Sequence, residues 1–144
     1  MVKAKDDVVT KHKLAAEILN KALAGLIKAC EAGKTTLELC QIGDNLVKLQ
    51  CDAVYKNKKN EDDKPMQKGT AFPTCVSVND CVCHNSPLLS EAEPQALVEG
   101  DVVKIDLGCH IDGYLAVVAH TVVVGAADAK VTGKVCCPWS CTLR

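Results

Sequence analysis

The chain has 144 residues, 48% of them hydrophobic but only 3% aromatic, with 17 Lys and Arg against 18 Asp and Glu for a formal net charge of −1. At this length a single domain buries about 68–70% of the surface its unfolded form exposes, so a core of Val, Leu, Ile, Ala and Cys is attainable. The near-neutral balance argues against a chain whose main task is non-specific nucleic-acid binding, and no apolar run approaches the roughly 18 residues that span a bilayer.

The opening Met1-Val2-Lys3-Ala4-Lys5-Asp6-Asp7 is charged and has no apolar signal core, so the ten Cys read as reduced thiols rather than a disulfide framework. From Val8 the pattern is helical. Leu14, Ile18, Ala22, Leu26 and Cys30 recur every fourth residue with Leu19, Leu23 and Ile27 beside them, and Lys11, Lys13, Glu17, Lys21 and Lys28 take the polar face. Gly33 stands where a left-handed cap closes this helix, and Thr35 with Glu38 forms a capping box for a second one. Leu39, Ile42, Leu46, Leu49 and Ala53 make the apolar stripe of that second helix. Two such stripes need a surface to lie on, so a sheet should follow.

Lys56 to Gly69 is charged and aperiodic and reads as a solvated loop, with Glu61, Asp62 and Asp63 offsetting its lysines. Strands are expected over Ala71 to Val78, Asp101 to His110 and Tyr114 to Val124. Asp112-Gly113 between the last two signals a two-residue hairpin, because both turn positions favour positive φ. Counting outward from that turn sets Ile111 opposite Tyr114, Gly108 opposite Val117 and Asp106 opposite Ala119, so Asp106, Gly108, His110, Val117 and Ala119 share one face.

Asp106 lies inside the apolar run Val102-Val103-Lys104-Ile105-Asp106-Leu107-Gly108. A buried carboxylate is costly unless it is paired, hydrogen-bonded or metal-bound. Two readings stand: a metal or acid–base role, or a carboxylate satisfied by backbone or water. The register sends the nearby histidines away from it, His110 four residues along the strand and His120 to the opposite face. Cys81-Val82-Cys83-His84 has only one residue between its cysteines, whereas tetrahedral zinc pairs usually have two to four, so it reads as reduced structural Cys with His84 at a strand end. No phosphate-binding glycine loop, nucleophile elbow or helix-borne zinc motif is present.

Ala71-Phe72-Pro73-Thr74-Cys75-Val76-Ser77-Val78-Asn79, then Cys83-His84-Asn85-Ser86-Pro87, then Val103-Lys104-Ile105-Asp106-Leu107-Gly108 resemble the type 2 methionine aminopeptidase superfamily. Within it the likeness is greatest to the proliferation-associated, or ErbB-receptor-binding, family. Val8 to Lys13, Cys81 to His84, Cys109 to Tyr114 and Ala119-His120-Thr121 carry that closer match, which runs from about Val8 to Lys134.

The resemblance implies an α+β fold, the N-terminal half of a pita-bread (methionine aminopeptidase-like) fold with two long helices packed on an antiparallel sheet. Active enzymes of that fold hold two metal ions through two Asp of the first half and a His and two Glu of the second. Asp106 matches the first Asp and His84 the pocket histidine, but the second Asp position, eleven residues on, is Val117. The implied protein is therefore not an enzyme and uses no metal or cofactor. Its implied partners are proteins and ribonucleoprotein complexes, with RNA or the ribosome among them, and its implied role is in cell growth and transcription. Cytoplasm, nucleus and nucleolus are the implied locations, with Lys11 and Lys13 matching a basic targeting patch. The alternatives are a metal-dependent methionine aminopeptidase and a truncated gene-model fragment without its own function. Residues 1–134 are read as the aminopeptidase-like unit and 135–144, with Cys136, Cys137 and Cys141, as an unrelated Cys-rich tail. Half of a two-half fold should also leave an apolar face uncovered.

Overall fold

The computed structural model describes residues 6–60, 63–90 and 95–125, so the Cys-rich tail lies outside the described residues. Helices α1 (Asp6–Ala29) and α2 (Thr36–Ala53) precede strands β1 (Lys68–Val78), β2 (Val102–Ile111) and β3 (Tyr114–Val123). The strands form an antiparallel sheet in the order β1-β2-β3, and both helices pack on one of its faces, α1 over β2 and β3 and α2 over β1.

Alternation along β2 decides which face is core. Val103, Ile105, Leu107, Cys109 and Ile111 are buried under the helices, while Lys104, Asp106 and His110 on the other face are only half-buried. From α1 come Ile18, Leu19, Ala22, Leu26 and Cys30, as expected from the fourfold spacing, joined by Ala15, while Leu14, Leu23 and Ile27 of the expected stripe are only partly buried against the core. No described helix is long and apolar enough to cross a membrane.

The β2–β3 hairpin has the expected register throughout, from Ile111 opposite Tyr114 to Asp106 opposite Ala119. Its turn residues Asp112 and Gly113 both take positive φ, 55° and 82°, as a type I′ turn requires. The capping box also forms: Glu38 N donates to Thr35 Oγ1 at 3.2 Å and Thr35 N to Glu38 Oε2 at 2.9 Å.

Three expectations are corrected. First, β1 begins at Lys68, inside the stretch read as loop, because Lys68, Gly69 and Thr70 pair with Ile111, His110 and Cys109 at the hairpin end of β2. Second, the buried face of α2 is Thr36, Leu39, Cys40, Gly43, Val47 and Cys51, and Leu49 is 69% exposed. Small Gly43 sets that rotation: a Cβ there would lie 2.6 Å from the Thr74 side chain, so β1 approaches the helix backbone itself. Asp44 beside it accepts from both Thr74 N and Thr74 Oγ1, at 2.8 and 2.7 Å.

Third, Lys11 does not stand on the solvent face of α1; it is 3% exposed. It precedes Ala15, Ile18 and Ala22 in the same i, i+4, i+7, i+11 row, so helical geometry carries it onto the sheet. Its charge is met there by Asp112 at 2.7 Å, with Asp7 on the other side at 2.7 Å and the Tyr114 ring centroid at 5.3 Å. These carboxylates, Asp112 first, hold the Lys11 ammonium well above the usual lysine range. Lys13, by contrast, is exposed.

Candidate functional site

On the sheet face away from the helices, Phe72, Pro73, Cys75, His84, Ser86, Asp106 and Val117 line a cavity of about 510 Å³. Three strands and one loop contribute to it. β2 supplies Asp106 and β3 supplies Val117, which sits opposite Gly108 and diagonal to Asp106.

β1 reaches the cavity through an irregularity. Its pairing with β2 shifts between Thr70 and Phe72 and again between Phe72 and Cys75. Pro73 has no N–H to give to a ladder, so a break in the pairing at an edge strand is where a proline fits. After the shift Phe72 lies against Gly108 and Cys75 faces Asp106. The ring occupies the place of the missing side chain: a Cβ at Gly108 would be 2.3 Å from Phe72 Cε1.

The loop that brings His84 and Ser86 is fastened to β1 through Asn85. Val76 N donates to the Asn85 carbonyl at 2.8 Å, Asn85 Nδ2 to the Val76 carbonyl at 2.8 Å, and Asn85 N to Ser77 Oγ at 3.2 Å. His84 takes φ 60°, an uncommon left-handed conformation for a non-glycine residue, so the fixed Asn85 next to it sets where the imidazole goes. Nearer β1, Asn79 Nδ2 donates to Asp101 Oδ1 at 2.9 Å and its Oδ1 accepts from Val102 N at 3.0 Å, which ties the loop's start to β2.

Burial pushes the Asp106 carboxyl above the usual carboxylate range, and the neighbouring His84 partly offsets this. Burial likewise pushes the Cys75 thiol up, with Asp106, Asp44 and Cys83 adding repulsion. This is a pocket whose charged form is disfavoured rather than one built to gather charge.

Asp106 has the apolar Val117 diagonal to it across β2 and β3, and among the described residues there is no group of three His, Cys, Asp or Glu placed to hold a metal ion. The structure thus brings together Asp106, His84 and Val117. It keeps His110 four residues along β2, where it pairs with Gly69, and places His120 opposite Ile105. Cys81 is half-buried with its Sγ directed at the Cys83 carbonyl, and Cys83 is exposed. Lys11 and Lys13 lie at the start of α1 and take no part in the cavity.

Phe72, Pro73, Cys75 and Ser86 were not anticipated as lining residues. The shift around Pro73 defeats counting from the hairpin, although a proline in a strand was a visible signal of irregular pairing.

The profile of metallopeptidase family M24 matches residues 10–135. The ERBB-3 binding protein 1 of Solanum tuberosum is 48% identical over 128 residues, covering 89% of this chain and 31% of that relative. Proliferation-associated protein A of Dictyostelium discoideum is 46% identical over 129 residues, covering 89% of this chain and 32% of the relative. The solved structure of a thermophilic Arx1 superposes with a TM-score of 0.78 at 34% identity, covering 88% of this chain and 33% of that one. The chain therefore spans about a third of the length of the curated relatives it matches, and its architecture is that of the N-terminal half of the pita-bread fold.

Proposed function

Because the chain belongs to metallopeptidase family M24, we propose that it is a non-catalytic binding protein on an aminopeptidase-like scaffold. Its partners are proteins and ribonucleoprotein complexes, with RNA or the ribosome as the anionic component, and its role lies in growth regulation and transcription. It works in cytoplasm and nucleus, the nucleolus included.

Val117 carries this reading. It puts a branched hydrocarbon diagonal to Asp106, at the position where the resemblance implies a metal-binding Asp in active enzymes. A side chain without a lone pair neither coordinates a cation nor activates water. Asp106 and His84 then survive as pocket residues, raised carboxyl and neighbouring imidazole, without a second acid to share a metal. The relative named as a proliferation-associated protein supports the growth-related part of this reading. Of the two basic residues proposed as a targeting patch, only Lys13 is free to meet a receptor, since Lys11 is engaged by Asp112 and Asp7.

The purified chain is incubated with a Met-initiated peptide and Mn²⁺, Co²⁺ or Zn²⁺, and in parallel centrifuged with ribosomes over a salt series. The expected result is no released Met, together with co-sedimentation that weakens as salt rises. Stoichiometric metal binding through Asp106 with turnover would establish the aminopeptidase instead.

A further inference from the structure

Two sulfurs that the cavity does not use meet in the core behind it. Cys51, in the last turn of α2, and Cys109, in β2, lie 58 positions apart in sequence, and their Sγ atoms are 3.5 Å apart. Both residues are buried, at 1% and 0% exposure. A disulfide needs the sulfurs at about 2.03–2.05 Å, so they have to approach by roughly 1.5 Å.

That approach falls on a part of the fold able to give. The last carbonyls of a helix have no intrahelical partner, and helix ends open more readily than helix centres. Cys51 is in that last turn, closed by Val54 N donating to the Cys51 carbonyl at 3.3 Å, and Lys68 Nζ donates to the Val54 carbonyl just beyond it.

The pair is also chemically asymmetric. The Cys109 thiol beside it, and then the Lys68 ammonium, favour the thiolate of Cys51 against the effect of burial. Cys109 is held protonated by Cys51 and by burial. Elsewhere in the core, burial pushes the Cys30 thiol up to about 11 and the Cys40 thiol up to about 12, which leaves them poor nucleophiles.

We propose that Cys51 and Cys109 form a reversible two-electron redox site, closed by hydroperoxide into an intrachain disulfide that ties the end of α2 to β2. The Cys51 thiolate attacks one peroxide oxygen and the O–O bond breaks. Cys51 becomes a sulfenic acid, and the departing hydroxide takes a proton to leave as water. The Cys109 sulfur then displaces the sulfenic hydroxyl as the S–S bond forms, and its proton leaves with that hydroxyl as a second water. Two thiols and one peroxide thus yield one disulfide and two waters, and a small dithiol reductant reverses the change. Cys109 is three residues from Asp106 on the opposite face of the same strand, so the bond would brace β2 directly behind the cavity.

The test treats the full chain with hydrogen peroxide, blocks remaining thiols with an alkylating agent and maps proteolytic peptides by mass spectrometry. The expected product is a Cys51–Cys109 cross-linked pair, two hydrogens lighter than the reduced peptides and absent after dithiothreitol. Its formation should raise the thermal midpoint by several degrees relative to the reduced chain. Cys51→Ser and Cys109→Ser each remove it. If either variant fails to fold, a Cys81→Ser/Cys83→Ser chain, which leaves the core untouched, must still form the cross-link. Cys51 recovered as free thiol or as sulfinic acid while other cysteines oxidise, or Cys51 paired mainly with any other cysteine, would overturn the proposal.

Discussion

Val117 lies diagonal to Asp106 across β2 and β3, and both line the same cavity, so one strand offers a carboxylate where its neighbour offers a hydrocarbon. Val117→Asp places a second carboxylate within reach of the first. Because Val117 is 68% exposed, the change should alter stability by no more than about 0.5 kcal/mol. In calorimetric titration with Mn²⁺ the variant should bind at least about tenfold more tightly than the parent, a difference of ~1.4 kcal/mol. Equal affinity in both proteins would show that position 117 does not control metal binding.

Asp106 provides a pH test. Its carboxyl is pushed up by burial, so the folded chain holds the proton more tightly than the unfolded one. A carboxylate shifted this way destabilises the fold above its folded pKa, and the penalty disappears as pH falls below the ordinary value of about 3.9. Asp106→Asn should therefore unfold at higher urea than the parent at pH 7, and at the same urea concentration at pH 3. A variant less stable at pH 7 would mean that His84 or an unseen partner outweighs desolvation at this site.

Gly108 and Phe72 supply a packing test, since a methyl group at 108 would sit 2.3 Å from the Phe72 ring. Gly108→Ala must drive the ring out of its place over β2, at a cost of about 1–3 kcal/mol typical of overpacking. In a Phe72→Ala background most of that cost should vanish. An additive pair of penalties in the double-mutant cycle would show that the two residues do not share the space.

The elements legible before the structure were those specified by neighbours in sequence. Asp112-Gly113 dictates a turn by its own backbone preferences, and a hairpin register follows from its turn, which is why the shared face of Asp106, Gly108 and Val117 came out by counting. Thr35 and Glu38 are likewise a local pair. What stayed hidden depends on partners far along the chain. The rotation of α2 follows from Thr74 seated on Gly43, not from the leucine spacing that favoured Leu49. The cavity wall at Cys75 depends on a shift at Pro73. The apolar run around it singled out Asp106 and the resemblance added His84 as a pocket residue, but only folding shows that Asn85 fixes the imidazole and that burial raises the carboxyl.

Lys11 is the sharpest of these long-range cases, because its partner Asp112 is 101 residues away. The ammonium docks the first turn of α1 onto the tip of the β2–β3 hairpin, and the adjacent His12 Nδ1 donates to the Leu115 carbonyl at 2.7 Å on the next strand. Lys11→Met keeps the aliphatic stem and removes the charge, stranding an Asp112 carboxylate that is only 18% exposed. Losing a hydrogen bond to a charged group in such a place should cost about 1.5–3 kcal/mol, measured by chemical denaturation. Asp112→Asn in the same background should restore part of the loss, since the carboxylate left without its cation is then gone. Lys13→Met, at an exposed position on the same helix, should stay within about 0.5 kcal/mol of the parent. Equal penalties at positions 11 and 13 would mean that the charge on Lys11 is solvated after all and that the helix is held to the hairpin by its apolar stripe alone.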